Sequence, residues 1–256
     1  MDTLFQDSSL LLLEISSQNL LEEGLTAKQI LRINPKCFDF KLISKFEQGQ
    51  VKTAEQWVKS QSLNVIFNAG MYSAREGNKN RFYMKNFGFI ENNLLNSEAN
   101  GIIAFNAKRD SIPNFKLFDL TKSNLPEISA DYNTLIQGIR MLDENGHALY
   151  WNKKQQRCSM MLLATDSQGY LYLIFSRPPQ TKNQMIDFLL TLPLGLTHAI
   201  YLEGGFLAGF IINTPTYQFK MVGSYLEKYH PTDKNIDFHP FPNFIGLQFN
   251  ASTCSN

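Results

Sequence analysis

The sequence predicts an α+β fold built on a mixed, mainly antiparallel, twisted sheet with a few packed helices. Strand-like segments dominate the 256 residues, and several are joined by short turns such as 143–146 (DENG) and 166–169 (DSQG). Only 54–60 and 182–192 have clear helical patterns. Because hairpin-connected strands pair antiparallel, this mixture favours α+β over a doubly wound parallel sheet.

Each predicted helix begins after a threonine that can cap it. Thr53 precedes the first helix and Thr181 precedes the second, in which apolar residues recur at helical spacing. The segment 119–131 contains Pro126 and is interpreted as a connecting loop. We find no internal repeat, low-complexity tract or linker, so we predict a single domain over 1–256.

Composition excludes some partners. The net charge is +1 and the basic residues are scattered, which indicates no nucleic acid. No apolar run approaches the roughly 20 residues of a membrane span.

The first seven residues are acidic and lack the positively charged start of a secretory signal. The chain is therefore either a mature secreted or periplasmic form or a cytoplasmic protein, and we expect a monomer.

The cysteines and histidines do not predict a metal site. Cys37, Cys158 and Cys254 lack metal-type spacing, and their odd number leaves at least one free thiol. A single disulfide is compatible with the sequence but is not indicated by it. For Cys158 we favour a packing role over a nucleophilic one. The four histidines form no ligand pattern, and no phosphate-cradling glycine loop or dinucleotide motif is present, so we predict no metal and no cofactor.

One strand end stands out as a candidate site. The apolar segment 198–202 stops at Glu203, which Gly204 and Gly205 follow. A strand fixes the place of the side chain at its end, and glycines allow a sharp turn and close ligand approach. We favour a catalytic Glu203, although a carboxylate that only bonds the following turn is the alternative.

A second strand ends in a similar way. The strand at 64–67 leads into Asn68 and then Gly70. Asn68 is a candidate for bonding a sugar hydroxyl or orienting water, and the alternative is that it satisfies the turn before Gly70. Gln137, within the predicted strand 135–142, has the same two interpretations.

The motifs occur in an order that resembles the phosphodiester glycosidase family. They are 68–72 (NAGMY), Gln137 followed by 141–142 (ML), 157–159 (RCS) and 202–205 (LEGG). The likeness covers about residues 30–249 and is closest to a bacterial subgroup with Glu-Gly-Gly. It implies a hydrolase that cleaves a glycosidic bond, with a carbohydrate or sugar-phosphate substrate such as a sugar-1-phosphodiester or a related envelope glycan. Family members are mostly secreted, periplasmic or lumenal.

The resemblance implies roles for several residues. Glycosidases commonly use two carboxylates. A phosphate leaving group, with a second pKa of about 6, departs easily, so we expect that Glu203 alone suffices as base or nucleophile. Such a site needs positive charge for the phosphate. We assign this role to Arg157, with Ser159 assisting, and expect Arg140 and Arg177 to be further anion ligands or structural residues.

The chain departs from the family pattern at three positions, and the first two departures support a different class of function. The family usually has Asp where this chain has Glu203, and a small residue where it has Phe206; Arg140 stands where Pro is frequent. Glutamate is one methylene longer than aspartate, enough to disturb catalytic geometry. The alternative is therefore a catalytically inactive carbohydrate-binding domain on the same fold, and a secreted effector acting on a host glycan or protein is a third possibility.

Overall fold

A computed structural model describes residues 1–16, 27–73 and 76–254. Strands dominate this part of the chain, and all of the strand pairings in it are antiparallel. The described strands are β1 (Asp2–Gln6), β2 (Leu10–Ser16), β3 (Ala27–Ile33), β4 (Phe38–Ser44), β5 (Val65–Asn68), β6 (Tyr72–Ser73), β7 (Lys79–Asn80), β8 (Met84–Asn86), β9 (Phe89–Asn92), β10 (Gly101–Ala107), β11 (Phe115–Asp119), β12 (Tyr132–Leu142), β13 (Cys158–Asp166), β14 (Leu171–Gln180), β15 (Leu196–Gly204), β16 (Gly209–Asn213), β17 (Gln218–Val222) and β18 (Asn243–Phe249).

The strands form two large sheets and one small one. The larger sheet has the order β1-β2-β3-β14-β13-β15-β12-β10-β11, with β8 and β9 attached beside β12. The second sheet has the order β17-β16-β5-β18-β4, and β6 pairs with β7. The predicted mainly antiparallel sheet with a few helices is thus confirmed in outline. The expectation of one sheet was wrong, because hairpin patterns identify neighbouring strands but not how distant hairpins are joined.

The described α-helices are short and lie in the connections between strands. No described helix has the length and apolar character needed to cross a membrane. The helices are α1 (Lys45–Gln48), α2 (Ala54–Gln61), α3 (Leu125–Asp131) and α4 (Lys182–Thr191), with short 3-10 turns at Pro35–Cys37 and Gly205–Leu207.

Alternation along the strands divides the apolar core into layers. On β13, Met161 and Leu163 point into a core that both large sheets share. The intervening Met160 and Leu162 face the opposite side, where α4 covers them. On the smaller sheet, Ile66 faces the outer layer formed with α2. The order of layers is therefore α4, larger sheet, smaller sheet, α2, as side-chain alternation on strands requires.

The two predicted helices are confirmed, and one predicted loop is wrong. Thr53 and Thr181 both form reciprocal capping boxes at the starts of α2 and α4. The segment 119–131, predicted as a loop, contains α3. Asn124 caps it and Pro126 lies in its first turn, where proline's fixed φ favours a helix and its missing N–H is not needed.

A disulfide joins the segment before β4 to the end of the described chain. Cys37 and Cys254 are 217 residues apart and their sulfurs are 1.99 Å apart. The Asn250 N–H also donates to the Cys37 carbonyl oxygen at 2.9 Å. Cys158 is the free, buried cysteine. The sequence did not indicate this pair, because residues so far apart are brought together only by the pairing of β4 with β18.

We expect a Cys254→Ser variant to lose about 2–4 kcal/mol of unfolding free energy, because the bond restricts the unfolded chain across a long loop. Urea unfolding of variant and wild type, with and without reductant, measures the loss. Reductant should lower the midpoint of the wild type and leave that of the variant unchanged. Equal midpoints for the oxidised wild type and the variant would contradict a stabilising role.

Candidate active site

Glu203 lies near the end of β15, at the centre of the larger sheet. Its backbone pairs with Met161 of β13, across a register shift from the pair of Tyr201 with Leu162, and the charge of Lys182 on α4 acts on its carboxyl group. One carboxyl oxygen, Oε1, accepts the Gly204 N–H at 2.8 Å. Burial raises the pKa of Glu203 to about 8, although the Gly204 N–H and the charge of Lys182 both act to lower it. The folded protein thus holds a carboxyl group that titrates close to neutral pH.

The two glycines after Glu203 are required by close packing. A Cβ atom on Gly204 would lie 2.9 Å from Cys158 Sγ and would also collide with the Tyr201 hydroxyl. Gly205 has φ +76°, in the left-handed region that favours glycine, and its Cβ would lie 3.0 Å from Leu226. The sequence therefore needs Gly-Gly here for geometry, as predicted, whatever ligand approaches the turn.

An aromatic and cationic group flanks Glu203. The rings of Trp151 and Tyr201 meet edge to face with centroids 5.8 Å apart. Lys182 Nζ lies 5.0 Å from the Trp151 ring centroid and 5.4 Å from that of Tyr201. Burial, together with the neighbouring Cys158 and Glu203, raises the pKa of Tyr201 well above its usual range, so its hydroxyl stays protonated.

Cys158 belongs to the same group but is unsuited to nucleophilic chemistry. Its side chain is buried, and this burial raises the pKa of its thiol, which outweighs the opposing charge of Lys182. Because the thiolate is the nucleophilic form, a raised pKa reduces its reactivity. These features agree with the packing role inferred from the sequence.

The segment that follows β5 reaches the same edge of the sheet. Asn68 Oδ1 accepts the N–H of Gly209, just beyond the Glu-Gly-Gly turn, at 2.8 Å. Met71 packs against the core cluster that contains Trp151 and Tyr201. Burial and then the charge of Glu203 raise the pKa of Tyr72. Two of the predicted motifs, 68–72 and 202–205, therefore converge in space.

Asn68 has a partly unsatisfied side chain. It is buried, and its Nδ2 has no hydrogen-bond partner in the described part of the chain. A Cβ atom on Gly70, two residues on, would lie 3.4 Å from Asn80 Oδ1 and 3.7 Å from the Ile136 side chain. A buried amide donor without a partner is uncommon in proteins and points to a water or a ligand group that would accept its hydrogen bond.

Arg177 and Ser159, two of the predicted anion ligands, bind the backbone of one loop. The Arg177 guanidinium donates to the carbonyl oxygens of Val222, Asp233 and Asn235 at 2.6–3.1 Å, and its Nε lies 3.0 Å from an Asp233 carboxylate oxygen. The Ser159 hydroxyl donates to the Arg177 carbonyl and accepts two N–H groups, from residues 224 and 225. Both side chains are buried and hold the loop that places Leu226 against Gly205.

Arg140 and Gln137 are also engaged in structural contacts. Arg140 forms a buried ion pair with Asp119 at 2.6 Å, with side-chain exposures of 5% and 7%, and its Nε donates to Asn100. Gln137 Oε1 accepts the N–H groups of Tyr83 and Asn96, and its Nε2 donates to two carbonyl oxygens at residues 96 and 99. Both side chains therefore have partners other than Glu203, although their strand, β12, pairs with β15.

Arg157 occupies the surface beside the site. It lies directly before Cys158, and its exposed guanidinium donates to the Pro179 carbonyl oxygen at 3.2 Å. Its backbone N–H donates to the Glu227 carboxylate at 3.1 Å.

Phe206, one of the departures from the family pattern, packs its ring against His230 and His239. The ring centroids of these histidines lie 5.0 and 5.3 Å from that of Phe206.

The sequence interpretation missed Lys182, Trp151 and Tyr201. Thr181 was recognised as a helix cap, which by itself locates Lys182 in the first turn of α4. Tyr201 lies two residues before Glu203 on β15, but the register shift between them means that alternation alone does not place the two side chains together. Trp151 gave no local signal, because it comes from an irregular segment that is held against α4 by Asn183.

Two surface cavities lie elsewhere. One, of about 680 Å³, is lined by residues of 76–79 and 90–94, including Glu91. The other, of about 280 Å³, is lined mainly by residues of β4 and its neighbours. Neither has a predicted site residue in its lining, so the candidate site rests on the convergence of side chains around Glu203.

The described site thus combines a half-buried carboxyl group near a strand end with aromatic rings and a cation. The sequence model of the phosphodiester glycosidase family matches residues 61–248. The chain therefore belongs to the phosphodiester glycosidase family, as its motifs predicted. A comparison with curated proteins found no match.

Solved structures that share the fold include two with the following similarities. The zebrafish N-acetylglucosamine-1-phosphodiester alpha-N-acetylglucosaminidase catalytic domain, auto-inhibited by its pro-peptide, has a TM-score of 0.67 and 15% sequence identity, with 94% of this chain and 84% of that chain covered. A hypothetical protein from Synechocystis has a TM-score of 0.61 and 11% identity, with 95% and 62% covered. At these identities the likeness concerns the fold alone.

Proposed function

We propose that this protein is a glycoside hydrolase that cleaves a sugar-1-phosphodiester or a related envelope glycan, with Glu203 as the catalytic carboxylate. The observation that carries the proposal is the environment of Glu203. It stands at a strand end beside the family's 68–72 segment, and burial brings its pKa close to the pH at which an enzyme works.

The proposed reaction uses few groups. As a base, the Glu203 carboxylate takes a proton from water while the water oxygen bonds to the anomeric carbon. The bond from that carbon to the phosphate oxygen breaks, and the phosphomonoester leaves with the electron pair. As a nucleophile, Glu203 attacks the carbon directly, and water releases the sugar in a second step. Both routes consume one water and give a free sugar and a phosphomonoester.

Substrate recognition is proposed for residues around this group. Arg157, exposed at the surface next to Cys158, has a charged, planar guanidinium group that can form two parallel hydrogen bonds to a phosphate. The unpartnered Asn68 Nδ2 is a donor for a water or a sugar hydroxyl. Trp151 offers an apolar ring face for a sugar. Arg140, Arg177, Ser159 and Gln137 are proposed to support the site through the backbone and ion-pair contacts described above.

We expect wild-type protein to release sugar from a glycosyl phosphodiester with a kcat/KM that rises with pH through about 8. The group must lose its proton to act as base or nucleophile, and its pKa is raised to about 8. The groups around it are Lys182, Tyr201, Cys158 and Tyr72. Assays of sugar release from pH 5 to 9.5 test this. A rate that falls as pH rises through 8 would contradict these roles, and no release from any phosphodiester would refute the proposed activity.

The alternative is a catalytically inactive carbohydrate-binding domain. The packing of Phe206 against two histidines favours it, because this ring fills space next to the Gly-Gly turn. One experiment that measures both binding and product release distinguishes the hydrolase from the binding domain. Saturable binding of a sugar phosphate with no release of product over hours would establish the binding domain.

We further propose that the protein works as a monomer in a secreted or periplasmic setting. The Cys37–Cys254 disulfide supports an oxidising compartment, since the cytoplasm keeps most thiols reduced. Thiol labelling of protein recovered from each cell fraction tests the location, and light scattering tests the oligomeric state.

A further inference from the structure

Lys182 is a cation that the structure holds beside Glu203 without pairing it. Its Nζ lies over the rings of Trp151 and Tyr201, at 5.0 and 5.4 Å from their centroids. Among the described residues, no carboxylate oxygen lies within ion-pair distance of it. Ring faces attract an ammonium group but do not neutralise it. The charge therefore remains available to a ligand.

The other predicted cations at the interior of the fold are already engaged. Arg140 is paired with Asp119, and Arg177 is paired with Asp233 and bonded to three carbonyl oxygens. A phosphate would have to displace these contacts, and each guanidinium would leave buried partners unsatisfied. Lys182 would give up only its attraction to two rings.

The backbone N–H groups at the start of α4 are not available to bind an anion. The Asn183 N–H donates to Gln155 Oε1 at 3.0 Å, and the Gln184 N–H donates to Thr181 Oγ1 at 3.2 Å. Because these first-turn donors are already satisfied, the end of this helix is not an open anion site of the usual kind. Binding of an anion here depends on the side chain of Lys182.

We propose that Lys182 is the residue beside Glu203 that binds the phosphate of the substrate, with the rings of Trp151 and Tyr201 orienting its ammonium group. This inference rests on the proposed function. A phosphate bound by Lys182 lies next to Glu203 and so brings the bond between the sugar and the phosphate close to the carboxyl group. The exposed Arg157 then contacts the outer side of the phosphate and the part of the substrate that extends outwards.

Titration calorimetry with glucose 1-phosphate, inorganic phosphate and methyl glucoside tests this role. We expect Lys182→Met to weaken binding of both phosphate probes by about 10-fold or more, since a charge-assisted contact is lost, and to leave methyl glucoside unaffected. Lys182→Arg should restore most of the affinity. The matched control is Lys52→Met, which removes the ammonium 4.4 Å from the Trp57 ring in another layer and should change no affinity.

The outcomes distinguish this inference from the proposed function. Wild-type affinity of Lys182→Met for phosphate, or no phosphate binding by wild-type protein, overturns the assignment of Lys182. If phosphate binding depends on Lys182 but no phosphodiester is cleaved, the assignment of Lys182 as the anion site is supported and the proposed hydrolase activity is refuted. In an active enzyme, Lys182→Met should also move the rising limb of the pH profile to higher pH, because the charge of Lys182 lowers the pKa of Glu203.

Discussion

A Glu203→Gln variant is expected to lose sugar release by a factor of about 10²–10⁴, the usual contribution of a positioned base or nucleophile. Glutamine has nearly the same shape and can still accept the Gly204 N–H through its oxygen. It cannot take a proton or form the glycosyl intermediate. Initial rates at pH 8.5, with circular dichroism to verify the fold, measure the loss. Turnover close to that of the wild type in a folded variant would refute the catalytic assignment.

The same substitution should stabilise the fold in a pH-dependent manner. The pKa of Glu203 is raised from 4.5 to about 8 on folding, so the folded state binds its proton more tightly than the unfolded state. This group therefore contributes most stability below pH 4.5, and the contribution is lost as pH rises towards 8. Glutamine does not titrate. The melting temperature of Glu203→Gln relative to wild type should then increase between pH 5 and pH 8.5, and a constant difference would show that burial does not control this carboxyl group.

Arg140→Met is expected to cost about 3–5 kcal/mol of unfolding free energy, because it leaves the Asp119 carboxylate buried without its cation. Asp119 keeps its hydrogen bonds from Thr121, which do not neutralise its charge. Urea unfolding at pH 7 measures the loss. Adding Asp119→Asn should recover part of it, since the amide keeps an acceptor oxygen for Thr121 but removes the unpaired charge.

A matched control for this prediction lies on the surface. Arg109 pairs with Asp131, and their side chains are 60% and 37% exposed. Arg109→Met should cost less than about 1 kcal/mol, because exposed ion pairs contribute little. Similar losses in the two variants would mean that the buried pair of Arg140 is no more important to stability than a surface pair.

The parts of this fold that were predictable are those with local causes. The capping threonines at 53 and 181 each act on residues within one helical turn, so the start of a helix can be inferred from a few positions. The carboxylate and glycines at 203–205 are equally local. Pro126 is a local signal that was misinterpreted: after a capping asparagine, proline favours the beginning of a helix as well as a loop.

The parts that were not predictable depend on contacts between distant segments. Whether Arg140 binds a ligand or a carboxylate depends on the position of Asp119. Because β10 pairs with both β11 and β12, Asp119 of β11 lies close to Arg140 of β12. Arg177 has its partners some fifty residues ahead, in the loop around 233. The site around Glu203 likewise needed the position of Trp151, which is determined by its docking on α4. A pattern of residue types does not contain these distances.

The two tryptophans of this protein occupy different layers. Trp57 is buried between α2 and the smaller sheet, whereas Trp151 is half-buried beside Lys182 and Tyr201. A Trp57→Phe variant would leave one indole, next to the candidate site, as the source of ultraviolet fluorescence. Its emission would respond to a ligand that displaces water or moves the ammonium group. The chain thus carries its own optical reporter for screening unlabelled sugar phosphates.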